Sequence, residues 1–293
     1  MTGTADLPAL DIAPMNTMKA HSVKGGAGLR LHVREWGKVD GPPIVFIHAL
    51  SQNHLCWAKQ YESPLAGEFR LVAFDLRGHG MSEVPLEAEH YADGELWADD
   101  LAAIMDELQL DRPVLVGWSY GTFVIADYVR KYGQNRIAAV VLVGGAAKLG
   151  EAAFGTVIGP GFLDHFADIT ADDLPTNIRG VRAFVRALIV KPLPAGELET
   201  AIAWNIVVPA RVRANLAARE LDVDDVLREL EAPVLVSHGR EDTATLPAMA
   251  EHILTTCPTA EASWYDGVGH APHLEDPERF NRELAALTRR VRT

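Results

Sequence analysis

This chain is poor in cysteine, short of positive charge, and without a long apolar run. Cys56 and Cys257 are the 2 cysteines among 293 residues. That is too few for a disulfide framework, and two buried thiols are expected. With 40 acidic against 27 basic residues, the formal net charge is −13, which opposes binding to nucleic acid or to an anionic membrane surface. No stretch stays apolar over the roughly 20 residues a bilayer-spanning helix needs. His-Glu-x-x-His and similar ligand spacings are missing, so neither a metal nor a cofactor is expected. Internal repeats and a basic-then-apolar leader are also missing. Residues 1–20 are small, polar and proline-containing; a disordered tail is expected there, and a cytoplasmic location is the default. Composition leaves a homodimer open.

Hydrophobic periodicity supplies the framework. Leu29 to Trp36 alternates apolar and polar residues, as an antiparallel strand near a sheet edge should. The runs 43–47, 70–74, 113–116, 137–143 and 233–237 are continuously apolar and suit central parallel strands covered on both faces. Gly25-Gly26-Ala27-Gly28 precedes no helical pattern and reads as a turn rather than a phosphate loop. Residues 95–109 set Leu101, Ile104, Met105 and Leu108 on one helical face. A helix over 122–132 and a terminal one over 276–291, opened by Asp276 and Pro277, complete the pattern. The expected class is α/β, with a mostly parallel, doubly wound sheet. Residues 146–220 break the rhythm, with helix-like pieces separated by Pro160, Pro175, Pro192, Pro194 and Pro209. The expected division is a core of 21–145 and 221–293, with a helical cap at 146–220 inserted after the sixth strand.

The chemistry centres on Pro113-Val114-Leu115-Val116 running into Gly117-Trp118-Ser119-Tyr120-Gly121. A buried strand that ends in Gly-x-Ser-x-Gly and enters a helix pushes the serine hydroxyl outward, beside free N–H groups. On these five residues alone, a surface serine in a glycine-flanked turn fits equally well. A serine nucleophile needs a base held by a carboxylate. His270 stands in a glycine-rich loop after a strand, and Asp242 follows the strand 233–237. The chain order Ser119, Asp242, His270 is the nucleophile, acid, base order of α/β-hydrolases. Glu241 is the alternative acid, although strand-end spacing favours Asp242. Asp75 reads as a turn-forming carboxylate, His79 as facing solvent or the pocket, and His273 as a loop or helix-entry residue.

With these residues in view, the chain resembles the α/β-hydrolases over nearly all of the sequence after residue 20. The nearest group is the compact, lid-bearing one of small carboxylesterases, cofactor-free haloperoxidase-like enzymes and C–C bond hydrolases. Beside the Ser119 pentapeptide, His48-Ala49-Leu50 resembles the family's oxyanion loop. Asp75-Leu76-Arg77-Gly78-His79-Gly80-Met81-Ser82 resembles its Asp-x-Arg-Gly-x-Gly-x-Ser turn. His238-Gly239-x-x-Asp242 and Gly269-His270 resemble its acid and base loops. The resemblance implies an oxyanion hole built from the backbone N–H groups of Leu50 and Tyr120. Ala49 stands where the family has glycine, which restricts the backbone there. His-Ala-Leu is similar to the same tripeptide of homoserine acyltransferases, and keeps acyl transfer open.

Substrate contacts are expected from His48, Trp118, Phe154, Phe162 and Trp204, with Phe166, Phe184 and Ile206 adding apolar cap surface. Arg179, Arg182, Arg186 or Lys191 turned inward would favour an anionic substrate. The expected activity is hydrolysis of a small or medium carboxylic ester, a small molecule, through an acyl-enzyme on Ser119. C–C hydrolysis, acyl transfer and perhydrolysis with the same three residues are alternatives, as is a non-catalytic ligand receptor. A serine at 119 argues against epoxide hydrolase or dehalogenase chemistry, which requires a carboxylate nucleophile.

Overall fold

A computed structural model describes residues 18–292. Most of the expected tail therefore lies outside the described residues, but Lys19 and Ala20 do not belong to a tail, because they open the first strand. The strands are β1 Lys19–Lys24, β2 Arg30–Gly37, β3 Pro43–Ile47, β4 Arg70–Phe74, β5 Val114–Trp118, β6 Ala139–Val143, β7 Lys148–Leu149, β8 Leu221–Asp222, β9 Val234–Gly239 and β10 Ala260–Tyr265. Eight of them form one sheet in the order β1-β2-β4-β3-β5-β6-β9-β10, and β7 and β8 pair separately. The β1–β2 and β2–β4 ladders are antiparallel. All other ladders of the large sheet are parallel.

Every residue of β3, β5 and β6 is buried, which explains their unbroken apolar sequences. Alternate side chains still go to opposite faces. Val45, Ile47, Val72, Phe74 and Leu115 enter one core, while Ile44, Phe46, Leu71, Ala73, Val114 and Val116 enter the other. The first core is covered by the helices Gly94–Glu107, Gly121–Tyr132 and Pro247–Thr256; the second by Pro277–Arg290 and the turn around Trp57. Helix Gly94–Glu107 starts where the Asp93 carboxylate accepts from Glu95 N–H. It buries Trp97, Leu101, Ile104 and Met105 completely, each contributing about 1.5–3 kcal/mol.

Between β6 and β9 run four longer helices, Pro160–Ile169, Leu174–Ala187, Ala195–Ile206 and Ala210–Ala217. Four of the five prolines of this stretch start helices rather than merely separating them, Pro192 lying in a loop. Pro160 and Pro175 sit in first turns, and Pro194 and Pro209 occupy N-cap positions, where proline's missing N–H costs nothing. The β7–β8 ribbon, which pairs Leu149 with Leu221, forms the neck of the segment.

The centre of the segment is Arg213, only 1% exposed. Its Nε–H donates to Ile169 C=O (2.6 Å), and Nη1 donates to the carbonyls of Asn205 (2.9 Å) and Val208 (2.7 Å). Nη2 donates to Asn177 Oδ1 (2.8 Å). Burial lowers the pKa of this guanidinium to about 10, so it stays charged at neutral pH. Ile169 ends one helix and Asn205 lies in the last turn of another. Their negative dipole ends supply the compensation that a carboxylate would otherwise give.

Candidate active site

The turn from β5 into helix Gly121–Tyr132 is tight. Ser119 has φ 51°, left-handed backbone that costs a non-glycine residue about 1–3 kcal/mol unless its surroundings impose it. They do: Ser119 N–H donates to Val143 C=O across the sheet (2.9 Å). The flanking glycines are there for close approach. A Cβ on Gly121 would lie 2.6 Å from Ile47 O, and one on Gly117 would lie 2.9 Å from the Gly121 carbonyl group. Tyr120 forms the start of the helix. Among the described residues, neither its N–H nor that of Leu50 is committed to another hydrogen bond. Both residues line one cavity with Ser119 and His270.

His270 and Asp242 lie side by side, brought together from the loops after β10 and β9. His270 Nδ1–H donates to Asp242 Oδ2 at 2.7 Å, which leaves Nε2 unprotonated in the neutral ring. Asp242 Oδ1 accepts from the N–H groups of Ala244 (2.8 Å) and Thr245 (3.1 Å). Burial pushes the Asp242 carboxyl up, but the adjacent His270 ring, His238 and these donors bring it below the ordinary aspartate value. His238 Nε2–H donates to Thr245 C=O (2.9 Å) and lies 3.4 Å from Asp242 Oδ2; burial lowers its pKa. Glu241 is elsewhere, with Oε2 accepting Val268 N–H.

Two supports of this pair escaped the sequence reading. The Thr245 hydroxyl lies 3.0 Å from Asp242 Oδ2, 2.9 Å from Gly144 O and 3.2 Å from His270 Nδ1. A Cβ on Gly144 would lie 2.9 Å from His270 Nδ1, so only glycine leaves room for the ring. The Gly144-Gly145 pair at the end of β6 was the available signal for the second. Nothing in the local sequence marks Thr245 beyond its place three residues after Asp242.

The cavity beside Ser119 is small, about 50 Å³, room for roughly four water molecules. Its wall is apolar, with Leu149, Ile158, Phe162, Phe184 and Leu188 facing Ser119, Thr245 and His270. Of the five expected substrate contacts, Phe162 alone lines it, and four are corrected. Phe154 is exposed, because the turn ahead of helix Pro160–Ile169 directs Ile158 inward instead. Trp204 spends its indole N–H on Gln52 Oε1 (2.8 Å). Trp118 sits behind the site in the opposite core, its indole N–H donating to His270 C=O (2.9 Å). His48 is fully buried beneath its loop, with Nδ1–H donating to Ala49 C=O (2.8 Å) and Nε2 accepting from Leu76 N–H (2.9 Å).

His79 faces neither solvent nor the cavity: its Nε2 accepts from Ser51 N–H (3.1 Å). His273 packs between Trp57 and Trp118. Arg179, Arg182 and Arg186 are exposed and, like Lys191, lie off the cavity wall, which removes the reason to expect an anionic substrate. Cys56 and Cys257 are free, buried thiols.

His32, His54 and Asp75 bring potential ligand atoms within 4.8 Å of one another. Asp75 is nevertheless committed. Its Oδ1 accepts from His54 N–H and pairs with His54 Nδ1, both at 2.8 Å, and its Oδ2 accepts from Met81 N–H (2.8 Å). It organises the two turns around it. No helix among the described residues is long and apolar enough to cross a membrane.

Known proteins resemble this chain over most of its length. The chain is 26% identical over 288 residues to a non-heme chloroperoxidase of Streptomyces lividans, covering 89% of this chain and 97% of that one. It is likewise 26% identical to a bifunctional esterase/perhydrolase of Acinetobacter calcoaceticus, covering 89% and 97% of the two chains. The crystal structure of an esterase from a Rhodococcus species superposes with a TM-score of 0.87 at 33% identity, covering 92% of this chain and 98% of that one. Residues 44–283 match the model of the alpha/beta hydrolase family, and the chain belongs to that family.

Proposed function

We propose that this protein is a serine hydrolase that cleaves a small, uncharged carboxylic ester through an acyl-enzyme on Ser119. One observation carries the reading: Ser119 and His270 share a largely apolar cavity, and His270 Nδ1 is bonded to buried Asp242 at 2.7 Å. Relatives with esterase names support the class of reaction.

His270 Nε2 takes the Ser119 proton as Oγ attacks the ester carbonyl, and ionised Asp242 stabilises the imidazolium. The free N–H groups of Leu50 and Tyr120 receive the oxyanion, each worth about 3 kcal/mol of barrier. His270 then protonates the departing alcohol, and water attacks the acyl-enzyme with His270 as its base. The helices between β6 and β9 act as a cap, since Phe162, Phe184 and Leu188 close the cavity. Its size favours short acyl groups. Peroxide in place of water would give perhydrolysis at the same atoms, a second reading supported by the esterase/perhydrolase relative.

The test is hydrolysis of 4-nitrophenyl butyrate together with labelling by a fluorophosphonate. Wild type should turn over and carry the label on Ser119. Ser119→Ala should lose turnover by a factor on the order of 10⁴ or more, and His270→Ala should lose both turnover and labelling. A folded wild-type protein that neither hydrolyses nor labels would sink the assignment and favour a ligand-binding role.

A further inference from the structure

Phe162, Phe184 and Leu188 close the cavity from the cap side. An acyl group larger than the space beside Ser119 must therefore displace those helices. Arg213, which donates to both Ile169 C=O and Asn205 C=O, ties them to helix Ala195–Ile206, and what that helix is fastened to decides the consequence. At the end of helix Ala195–Ile206, Gln52 Oε1 accepts from Trp204 Nε1–H (2.8 Å) and Asn205 Nδ2–H (3.2 Å), while Gln52 Nε2 donates to Asn205 Oδ1 (3.2 Å). Both carboxamides are buried, Gln52 at 2% exposure and Asn205 at 0%. Neither can exchange its partner for water without stranding polar groups.

The other side of Gln52 is the loop that carries Leu50. Its backbone N–H donates to Ala49 C=O (3.1 Å), and its neighbour Ser51 accepts from Arg213 Nη1 at 3.3 Å. A displacement of Trp204 and Asn205 is thus passed to residues 49–52. Leu50, between Ala49 and Ser51, carries one of the free N–H groups.

We propose that Gln52 is a specificity-determining residue whose carboxamide couples opening of the cap to displacement of Leu50. The proposal rests on the serine-ester reading above. Its kinetic signature is distinctive. A cavity that is merely too small weakens binding of large and small substrates unequally and acts on KM. A cavity whose opening withdraws an oxyanion donor removes stabilisation found only in the transition state, and acts on kcat.

The experiment compares 4-nitrophenyl acetate, butyrate and octanoate on wild type, Gln52→Ala and Trp204→Phe. In wild type, kcat should fall at least about tenfold from acetate to octanoate while KM changes less than about threefold. Gln52→Ala should compress that kcat ratio about fivefold or more, and Trp204→Phe, which deletes one donor and keeps the ring's bulk, should compress it less. A wild-type penalty confined to KM overturns the proposal. So does an unchanged kcat ratio in both variants when circular dichroism shows them folded. Should Gln52→Ala fail to fold, Trp204→Phe decides alone. A wild type inactive on all three esters and unlabelled at Ser119 removes the serine-ester reading, and this coupling with it.

Discussion

The loop after β3 and the loop after β10 reach Ser119 from opposite sides of β5, and different chemistry fastens them. Behind the first, His48 and His79 each donate from Nδ1 to a nearby carbonyl and accept a backbone N–H at Nε2. Both rings are neutral, and burial lowers their pKa values to about 4 and about 3. Behind the second stands a carboxylate. Glu275 Oε1 accepts from Gly269 N–H (2.9 Å), and Oε2 accepts from the N–H groups of Val190 and Lys191 (2.8 Å each). Burial raises its pKa, against the pull of these donors. A neutral ring joins one donor to one acceptor without placing charge in a buried position. A carboxylate gathers several N–H groups from separate segments, here binding residues 190–191 to the residue beside His270.

The difference predicts opposite responses to acid. For His48 and His79 the folded pKa lies below the unfolded value of about 6.5, so the unfolded chain binds more protons as pH falls through that value. Their contribution is complete above about pH 6.5 and is lost toward the folded values, by at most about 2–3 kcal/mol per pH unit for the two together. Glu275 has the reverse sign: its folded pKa is raised, so protonation just above the ordinary glutamate range offsets part of that loss. Urea titrations at pH 7, 6 and 5 should show stability falling with acid, and falling more steeply in Glu275→Gln, which lacks the offset. A flat wild-type profile would break the comparison.

The same variant at neutral pH should be the next largest effect. A glutamine at 275 presents an N–H₂ group where one of the N–H donors was bonded, leaving donors unsatisfied at a cost of about 2 kcal/mol. Loosening the residue next to His270 should lower kcat about tenfold, to be read from 4-nitrophenyl butyrate kinetics beside thermal unfolding. Stability lost without any change in kcat would mean that the His270 loop holds itself. The smallest effect is expected from Thr245→Val, which removes a neutral hydroxyl on the charged side of the site. About 1 kcal/mol of stability should go, and kcat should drop about threefold at constant KM, since Ala244 N–H still holds Asp242.

Much of this was legible from residue patterns, for physical reasons that also mark the limits. Buried parallel strands need continuous apolar runs, and a serine at a strand-to-helix turn needs glycines beside it, so β5 and Ser119 stand out. β1 does not. As an edge strand reading Lys-Ala-His-Ser-Val-Lys it buries only Val23, and leaves no apolar run to find. The wall of the cavity was the least legible part. Phe154 and Phe162 are equivalent as sequence, and what separates them is the tertiary position of the turn between them. Trp118 misled because β5 is apolar on both faces, so its pattern does not say which residues share Ser119's side. Gln52 gave no signal, because Trp204 and Asn205 lie 152 and 153 positions away. Glu275 gave none, because two of its three partners lie 84 and 85 positions away.

Arg213, which has no carboxylate partner among the described residues, sets a rule for exchanging parts between related scaffolds. Its guanidinium lies on one helix, yet its acceptors are spread from Ile169 to Val208, with a further one at Ser51 in the core. A transplanted piece shorter than 169–213 would separate the cation from its carbonyls and bury a naked charge. Lysine could not substitute, because a single ammonium cannot span acceptors arranged around a planar fork. The helices between β6 and β9 are therefore exchangeable as one module, with serine kept at position 51 of the recipient, and not helix by helix.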